Sequence, residues 1–371
     1  MPDRVLRAMT RPVIDHRGPE FAEMTLSLFD ELRWVFGDPA HVFVFPSSAS
    51  GCWEAALTNT LSPGDRVLAY DNGFFAARWA TIATRMGLET EILAGDWRRP
   101  ADPAAIEARL AEDRAHAIRA VLVVHNETST GVTSDIPAIR AALDRAEHPA
   151  LLMVDAVSSL GATALDHADW GIDVTVSGSQ KGLMLPPGLG FCAASEKALA
   201  AAETATSRRA YWDWEETRRS NERGFFPYTP ATSLLYGLAE ALRMLREEGL
   251  EVAFARHARL AEATRRAVEG WGLENYCADP AAYSSSGTTI SVPEGVDADA
   301  LRAEILERYD MSLGTGLGPL EGDVFRIGHL GDFNELMLMG TLAGVAMGLR
   351  SAGVPHEPGG VQAALTFLAE R

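Results

Sequence analysis

Short apolar runs alternate with amphipathic stretches through the first half of the chain. Six runs have the length and composition of buried strands, and they cover residues 42–45, 67–70, 120–125, 150–155, 174–178 and 188–195. Amphipathic segments between them, such as IPAIRAALDRAE (136–147), predict helices. This alternation is typical of a mostly parallel sheet covered by helices, so we predict an α/β fold.

The pattern changes after about Gly249. A long helix is predicted over residues 252–272, then a strand over 288–293, a helix over 301–309 and a strand over 324–331. This mixture indicates a smaller α+β domain, and we divide the chain into residues 1–249 and 250–371. The Ala-rich stretch 198–210 predicts one further helix in the larger domain.

Polar side chains follow the predicted strands, at the strand ends where open α/β sheets bind ligands. Asp155 ends the apolar run LLMVD, and a carboxylate there needs a cationic partner, such as the protonated ring nitrogen of pyridoxal phosphate (PLP). Lys181 lies among small and apolar residues in SGSQKGLMLPPGLG, where desolvation favours a neutral, nucleophilic amine. Taken alone, Asp155 could be a helix cap and Lys181 a surface residue. The presence of both at strand ends favours a cofactor site.

A third segment, FVFPSSASGCWEAALTNTL (43–61), consists of an apolar run, a Ser/Gly turn and a helical pattern. Backbone amides at such a turn, together with the positive end of a helix dipole, form an anion site suited to a phosphate. Ser/Gly clusters before helices are commonly only N-caps. This segment therefore supports a phosphate site only together with the segments that contain Asp155 and Lys181.

The motifs HNETSTG, VDAVSSLG, SGSQKG and FRIGHLGD, in this order and at these separations, make the chain resemble the class V aminotransferases of fold type I. Within that class it is similar to the serine–glyoxylate and alanine–glyoxylate branch, which PDRVLRAM, IDHRGPEF and FPYTPATSLLYGL also resemble. The resemblance runs from about Pro2 to the end of the chain. It implies a mostly parallel seven-stranded sheet, a PLP cofactor, and transfer of an amino group from L-serine to glyoxylate.

The resemblance also implies roles for individual residues. Lys181 would hold PLP as a Schiff base and move the substrate proton, while Asp155 would pair with the pyridinium nitrogen. Arg326 would bind the substrate carboxylate, because a planar guanidinium offers two parallel donors. The other implied cofactor contacts are Val157 and Phe75 on the two ring faces, Thr128 beside the ring, Gln180 with the amides of Ala49 and Ser50 at the phosphate, and Thr229 reaching the phosphate of the neighbouring subunit.

Several positions depart from the family or leave a choice open. Phe74 adjoins Phe75, so either ring could stack on the cofactor, and Phe226 stands where alanine–glyoxylate relatives have a tyrosine. Relatives begin with a Gly-Pro-rich segment before the position of Pro2, so either the start was assigned too late or part of the site is lost. The contribution of Thr229 in trans implies an obligate homodimer.

Histidines, tryptophans and cysteines of the chain are given no chemical role. His16 and His125 are assigned no step, and three tryptophans are expected to pack in the core or against helices, namely Trp53, Trp79 and Trp97. The cysteines Cys52, Cys192 and Cys277 are widely spaced, form no metal-binding or disulfide pattern, and fit a reducing cytoplasm.

Composition narrows the possible partners. The formal net charge of −18 is spread along the 371 residues, so binding to nucleic acid or to an anionic membrane is disfavoured. Apolar residues make up 47% of the chain, enough for a large core, yet they form no run approaching the ~20 residues that span a bilayer. Small anionic substrates therefore need a local cationic group.

Three alternatives remain at this level. The amino donor could be alanine or aspartate, because the same residues would serve. A lyase such as a cysteine desulfurase shares the fold type and needs a reactive cysteine, for which Cys277 is the candidate. A non-enzymatic PLP-binding regulatory module is disfavoured, because Lys181, Asp155 and Arg326 are all present.

Overall fold

The computed structural model describes residues 1–370. Its strands over that range are β1 (His41–Phe45), β2 (Arg66–Asp71), β3 (Glu89–Ala94), β4 (Ile118–Val124), β5 (Asn126–Glu127), β6 (Val132–Thr133), β7 (Leu151–Asp155), β8 (Val174–Gly178), β9 (Gly190–Ala194), β10 (Glu274–Asn275), β11 (Gly287–Ser291), β12 (Gly314–Thr315) and β13 (Val324–Gly328). Its helices are α1 (Asp3–Met9), α2 (Pro19–Phe36), α3 (Ala49–Thr60), α4 (Phe74–Arg85), α5 (Pro103–Glu112), α6 (Ile136–Arg145), α7 (Glu196–Thr204), α8 (Trp214–Asn221), α9 (Thr232–Glu248), α10 (Leu250–Gly270), α11 (Ala298–Tyr309), α12 (Glu335–Ser351) and α13 (Gly360–Ala369).

The large sheet has seven strands within the described residues, in the order β1-β9-β8-β7-β4-β2-β3. The pairs among β8, β7, β4, β2 and β3 are parallel, and β9 runs antiparallel to both of its neighbours. This arrangement confirms the predicted α/β fold with a mostly parallel sheet. The six predicted strands all form, within a few residues of their predicted limits.

Alternate residues of the large sheet enter two different apolar clusters, one on each face. In β4, Val121 and Val123 belong to one cluster, whereas Ala120 and Leu122 belong to the other. Because helices cover both faces, the central strands are apolar on both sides and appear in the sequence as continuous apolar runs.

The edge strand β3 and the helix α7 differ from the sequence-based expectation. The edge strand β3 was not among the predicted runs, because its sequence ETEILA carries half-exposed and polar positions. The helix predicted over 198–210 ends at Thr204. Its last carbonyls are met by the Arg209 guanidinium, which donates to the oxygens of Ala202 and Ala205 and so ends the helix with a side chain in place of another turn.

The C-terminal part contains a second, four-stranded antiparallel sheet in the order β10-β11-β13-β12. A third apolar cluster packs this sheet against α10, α11, α12 and α13, and all its buried members lie between Leu260 and Ala364. The domain boundary at Gly249 stays a prediction. None of the helices within residues 1–370 is long and apolar enough to cross a lipid bilayer.

Candidate active site

A cavity of about 180 Å³ lies at the carboxyl ends of β4 and β7. Parallel strands end at the same edge of a sheet, so the turns that follow them meet there. The residues that line the cavity are Ala49, Ser50, Trp53, Phe75, Val124, Asn126, Thr128, Asp155, Val157, Gln180 and Lys181. Eight of the ten residues predicted for the site are in this group, and the other two, Arg326 and Thr229, are outside it.

Asp155 is the last residue of β7 and is 3% exposed. Its Oδ1 accepts a hydrogen bond from the Val157 amide at 2.8 Å, and its Oδ2 accepts one from the Trp53 indole Nε1 at 2.8 Å. Burial and, to a smaller degree, the negative charge of Glu127 raise the pKa of Asp155 to about 7. A cation bound beside this carboxylate would reverse that shift.

Lys181 follows β8 in the turn that Gly178 begins. Burial lowers the pKa of Lys181, and the positive charge of Arg326 lowers it further, while Asp155 acts in the opposite direction. The amine therefore loses its proton more easily than a lysine in water, as its sequence context predicted. A neutral amine in a cavity of this size can attack a carbonyl or accept a proton.

Glu127 is a site residue that the sequence reading passed over. It is fully buried in β5, and its Oε2 accepts hydrogen bonds from the amides of Phe75 and Ala76 at 3.0 and 3.1 Å. Its Oε1 accepts bonds from the Ser129 amide and hydroxyl. Glu127 therefore caps the first turn of α4 and fixes Phe75 relative to the β5 turn, while burial raises the pKa of its carboxyl.

Of the two adjacent phenylalanines, Phe75 lines the cavity. The Phe74 amide donates to the Ser129 hydroxyl at 3.1 Å, and the Phe74 ring lies near Gly318, where an added Cβ would be 3.1 Å from it. Phe75 and Val157 both line the cavity and can therefore contact a flat ligand. Their predicted contacts with the two faces of the cofactor ring stay a prediction.

The opposite end of the cavity is formed by the start of α3. Ser48 is its N-cap residue and makes no side-chain capping bond, so the first amides, those of Ala49 and Ser50, begin the helix at the cavity wall. Gln180 also lines this space, and its buried Oε1 has no hydrogen-bond partner within residues 1–370. A helix start and an unmet amide in one cavity suit a polar, anionic group.

These features together fit PLP. Asp155 would meet the ring nitrogen, Lys181 the aldehyde carbon, Phe75 and Val157 the ring faces, and the α3 turn with Gln180 the phosphate. The Thr128 hydroxyl donates to Ser158 Oγ at 2.9 Å, so its oxygen keeps lone pairs for a cofactor hydroxyl.

Arg326 lies on β13 beside the cavity and does not line it. Its Nε donates to the Thr315 carbonyl at 2.8 Å, and its Nη1 donates to the Thr128 carbonyl at 2.9 Å. Because Thr128 lines the cavity, these bonds hold the guanidinium against the cavity wall, with the Nη2 group and one Nη1 hydrogen uncommitted to either carbonyl. Burial lowers the pKa of Arg326, although a guanidinium stays charged.

Thr229 lies away from this chain's own cavity. It is exposed, and it lines a different surface hollow with Tyr211 and Tyr228. Phe226 packs against Phe29, with ring centroids 5.8 Å apart. Its position in the large apolar cluster gives Phe226 a packing role, and the contribution of Thr229 to a partner's site stays a prediction.

Two of the tryptophans expected to pack also donate hydrogen bonds. Trp53 donates to Asp155, and Trp97 donates to Asp71 Oδ1 at 3.0 Å, whereas Trp79 is buried as expected. An indole N–H can only donate, so a tryptophan close in space to a buried carboxylate is a signal for such a bond. Trp53 and Asp155 are 102 positions apart in the sequence, so no local pattern reveals that they are close in space.

Asn126 was also missed, although it stands in the NETSTG motif. Its Nδ2 donates to Ser158 Oγ at 2.7 Å and to Ser286 Oγ at 3.0 Å, and these bonds tie the cavity wall to the second sheet. The neighbouring His125 is buried with its ring edge-on to Trp170, and burial lowers its pKa to about 4. Neither His125 nor His16 is among the described residues that line the cavity, so neither is given a chemical step.

Comparison with known proteins shows which family the chain is similar to. Residues 30–318 match the family model "Aminotransferase class-V". The serine–glyoxylate aminotransferase of Methylorubrum extorquens is 49% identical over 100% of this chain and 94% of its own length. The L-aspartate–glyoxylate aminotransferase of Paracoccus denitrificans is 45% identical over 98% of this chain and 92% of its own length.

Solved structures give the same result. The pyridoxamine–pyruvate aminotransferase of Mesorhizobium loti superimposes with a TM-score of 0.93 at 29% identity, over 99% of this chain and 94% of that chain. Its fold type, together with the family match and the lysine and aspartate in one cavity, identifies PLP as the cofactor. The chain belongs to the class V aminotransferases, PLP-dependent enzymes of fold type I.

Proposed function

We propose that this enzyme transfers the amino group of L-serine to glyoxylate, giving hydroxypyruvate and glycine. The observation that carries the proposal is the small cavity in which Lys181 and Asp155 face the same space, in a chain 49% identical to a serine–glyoxylate aminotransferase. PLP, when bound, supplies an aldehyde that joins to amines and a ring that withdraws electron density from the substrate Cα.

The residues of the chain divide the work among them. With PLP bound, Lys181 Nζ would take the proton from the substrate Cα and give it up again on the cofactor side, which a partly buried amine with a lowered pKa can do in both directions. Asp155 would be held in its ionised form by pairing with the protonated ring nitrogen, and would so maintain the ring's electron demand. Phe75 and Val157, which line the cavity, would hold the ring plane, while the α3 turn and Gln180 would hold the phosphate.

Arg326 supplies the local cation that an acidic chain needs for anionic substrates. Serine and glyoxylate each carry one carboxylate, so one guanidinium beside the cavity serves both half-reactions in turn. The hydrogen bonds to Thr128 and Thr315 leave part of the guanidinium for the substrate and prevent it from swinging away.

The same arrangement favours serine over aspartate as the donor. The second carboxylate of aspartate would need a further cation, and Lys181 is the single basic residue that lines the cavity within residues 1–370. The negative charges of Asp155 and Glu127 close by would oppose a second carboxylate. Alanine lacks the serine hydroxyl, for which Asn126 and Thr128 provide a polar wall.

The lyase alternative has little support in the site. Cys277 is buried, its thiol contacts the Asp279 carbonyl at 3.4 Å, and burial raises its pKa. It lines a separate small hollow beside Arg265 and Asn275. A buried thiol with a raised pKa is a poor nucleophile, so desulfuration is disfavoured.

We further propose that the enzyme is a homodimer in which Thr229 completes the partner's phosphate site. The exposure of Thr229 outside its own cavity agrees with such a role. The cytoplasmic location that the three widely spaced cysteines suggest stays a prediction.

Steady-state assays test the donor. L-serine, L-alanine and L-aspartate are each paired with glyoxylate, and glycine formation is measured together with the matching oxo acid. We expect kcat/KM for serine to exceed that for aspartate by about tenfold or more, equivalent to ~1.4 kcal/mol. Lys181→Ala is the inactive control. A larger kcat/KM for aspartate than for serine would overturn the assignment of the donor and leave the family unchanged.

A further inference from the structure

Two tryptophans are stacked on one another at the cavity, and one of them, Trp53, lines the cavity and is bonded to Asp155. Trp53 in α3 and Trp79 in α4 are 2% and 1% exposed, with ring centroids 5.9 Å apart and an angle of 14° between the rings. Trp53 Nε1 donates to Asp155 Oδ2 at 2.8 Å. Trp79 Nε1 is buried and has no hydrogen-bond partner within residues 1–370.

The pair therefore separates packing from hydrogen bonding. Both rings bury the same kind of surface in the same apolar cluster, so each contributes a similar amount to the core. The unpartnered N–H of Trp79 demonstrates that burial in this cluster does not by itself supply an acceptor. Of the two tryptophans, only Trp53 is oriented so that its N–H reaches the Asp155 carboxylate.

The charges around Asp155 make a neutral donor useful. The negative charge of Glu127 disfavours ionisation of Asp155, and the positive charge of Lys181 favours it. The charge of Arg326 interacts with Lys181 and with Glu127. The nearby His125 is bonded to Asp155 through its backbone amide only, and burial lowers its side-chain pKa to about 4, so its ring is neutral at pH 7. The bonds from Trp53 and the Val157 amide are the direct contacts that stabilise the anion.

We propose that Trp53 is a positioning residue that favours the ionised form of the Asp155 carboxylate and orients it toward the cavity, ready to pair with the protonated ring nitrogen of PLP. A hydrogen bond to Oδ2 and one to Oδ1 fix both oxygens and thus the plane of the carboxylate. Each oxygen retains a lone pair for the cofactor. The role concerns cofactor binding, so it is independent of which amino acid the enzyme uses.

The first test follows the bond itself in the full-length protein freed of cofactor. The indole nitrogens are labelled with ¹⁵N, and the Nε1–H signals of the eight tryptophans are recorded from pH 5.5 to 8.5. We expect the Trp53 signal to follow a titration that Asp155→Asn abolishes, and the Trp79 signal to move much less. A Trp53 signal that has the same position in the wild type and in Asp155→Asn at every pH would overturn the proposal, because it would mean that no bond joins the two side chains.

The second test compares Trp53→Phe with its matched control, Trp79→Phe. Both variants lose the same ring area, but only Trp53→Phe loses the bond to Asp155, and bonds to charged acceptors are among the stronger ones. We expect PLP to bind Trp53→Phe about tenfold or more weakly at pH 7. The defect should grow toward pH 6 and shrink toward pH 8.5, because loss of the donor raises the pKa of Asp155.

Trp79→Phe should bind PLP within about threefold of the wild type and keep its pH dependence. A loss of PLP affinity in Trp53→Phe that is the same at every pH would mean that Trp53, which lines the cavity, only packs there, and would overturn the proposal. Neither readout involves the amino donor. A failure of the serine assignment therefore leaves both readouts interpretable.

Discussion

At the scale of single residues, each charged side chain of the site has only a few polar contacts. Asp155 has two neutral donors, Lys181 is partly buried, and Arg326 is held by two backbone carbonyls. The substitution of any one of these groups changes the charge state of its neighbours as well as its own contact, since all are coupled through a poorly solvated cavity.

Arg326→Lys tests the substrate carboxylate site. Lysine keeps the positive charge but loses the fork, and the loss of one charge-assisted hydrogen bond costs about 1.5–3 kcal/mol. We expect kcat/KM to fall ten- to a hundredfold, mainly through KM for both serine and glyoxylate, with little change in PLP affinity. Steady-state kinetics and PLP titration measure the two effects.

Arg302→Lys is the control, because Arg302 also donates to a backbone carbonyl, that of Leu313, and pairs with Asp299. It should leave KM nearly unchanged. Equal losses of PLP affinity and of kcat/KM in Arg326→Lys would instead make Arg326 a structural residue.

At the scale of elements, the start of α4 is the joint that places Phe75. Gly73 precedes α4, and an added Cβ there would lie 2.1 Å from Cγ of Glu127. Gly73→Ala therefore forces Glu127 or the helix to move. We expect a loss of about 1–3 kcal/mol in the free energy of unfolding, measured with urea, together with weaker PLP binding.

Gly340→Ala is the matched control in α12, since nothing lies within 4 Å of its added Cβ. There the change should be neutral or stabilise by up to about 1 kcal/mol, because alanine favours a helix over glycine. If Gly73→Ala were as neutral as Gly340→Ala, the contact between Gly73 and Glu127 would not restrict α4.

Element limits illustrate what local sequence can specify. The central strands were predictable because both faces are buried and their apolar runs are continuous, as in LLMVD. The edge strand β3 was not, because its polar residues reflect its place at the edge of the sheet. The end of α7 at Thr204 depends on Arg209, which returns to the helix from the following loop.

At the scale of the whole molecule, buried neutral histidines make the fold sensitive to acid. Burial lowers the pKa of His125, His167 and His257 to about 4 and that of His329 to about 3. His257 joins the α10 helix to the loop after β13, because its Nδ1 donates to the Ala253 carbonyl and its Nε2 accepts from the Gly331 amide at 2.9 Å.

The sign of the pH dependence follows from these values. A histidine of unfolded pKa near 6.5 takes up a proton in the unfolded chain before it does so in the folded one. Its contribution to stability is complete above about pH 6.5 and is lost as the pH falls toward 4. Each histidine contributes a slope of up to about 1.4 kcal/mol per pH unit in that window.

Urea unfolding at pH 7.5, 6.0 and 5.0 measures this slope. His257→Asn should unfold with a shallower slope than the wild type, whatever its stability at pH 7.5. His116→Asn is the control, since His116 is exposed and has a left-handed φ of 51° that asparagine tolerates. An unchanged slope in His257→Asn would contradict the assignment to this histidine.

The proposed homodimer can be tested by complementation. A chain with Lys181→Ala and a chain with Thr229→Asp are mixed and exchanged by mild unfolding. If Thr229 serves the partner's phosphate, each mixed dimer has one site with both defects and one with neither. Random pairing makes half the dimers mixed, so activity should recover to about one quarter of wild type. Recovery no greater than the sum of the parents would place Thr229 in its own subunit's chemistry or in none.

The sequence by itself determined the α/β fold, the segments that form the central strands, and the family. It also indicated most of the residues that meet in the cavity. These features are local or depend on motif order: apolar periodicity, turns after strands, and a lysine and an aspartate within such turns. Lys181, Asp155 and Gln180 were predictable because their motifs are contiguous in the chain.

Only the tertiary structure decided which neighbours complete those residues. The bond from Trp53 to Asp155, the Glu127 cap on α4, and the choice of Phe75 over Phe74 join segments that are 52 to 102 positions apart or depend on a helix orientation. A hydrogen bond across such a separation leaves no periodic trace in the sequence. It is fixed by packing of helices on the sheet, which places a donor and an acceptor together within 3 Å.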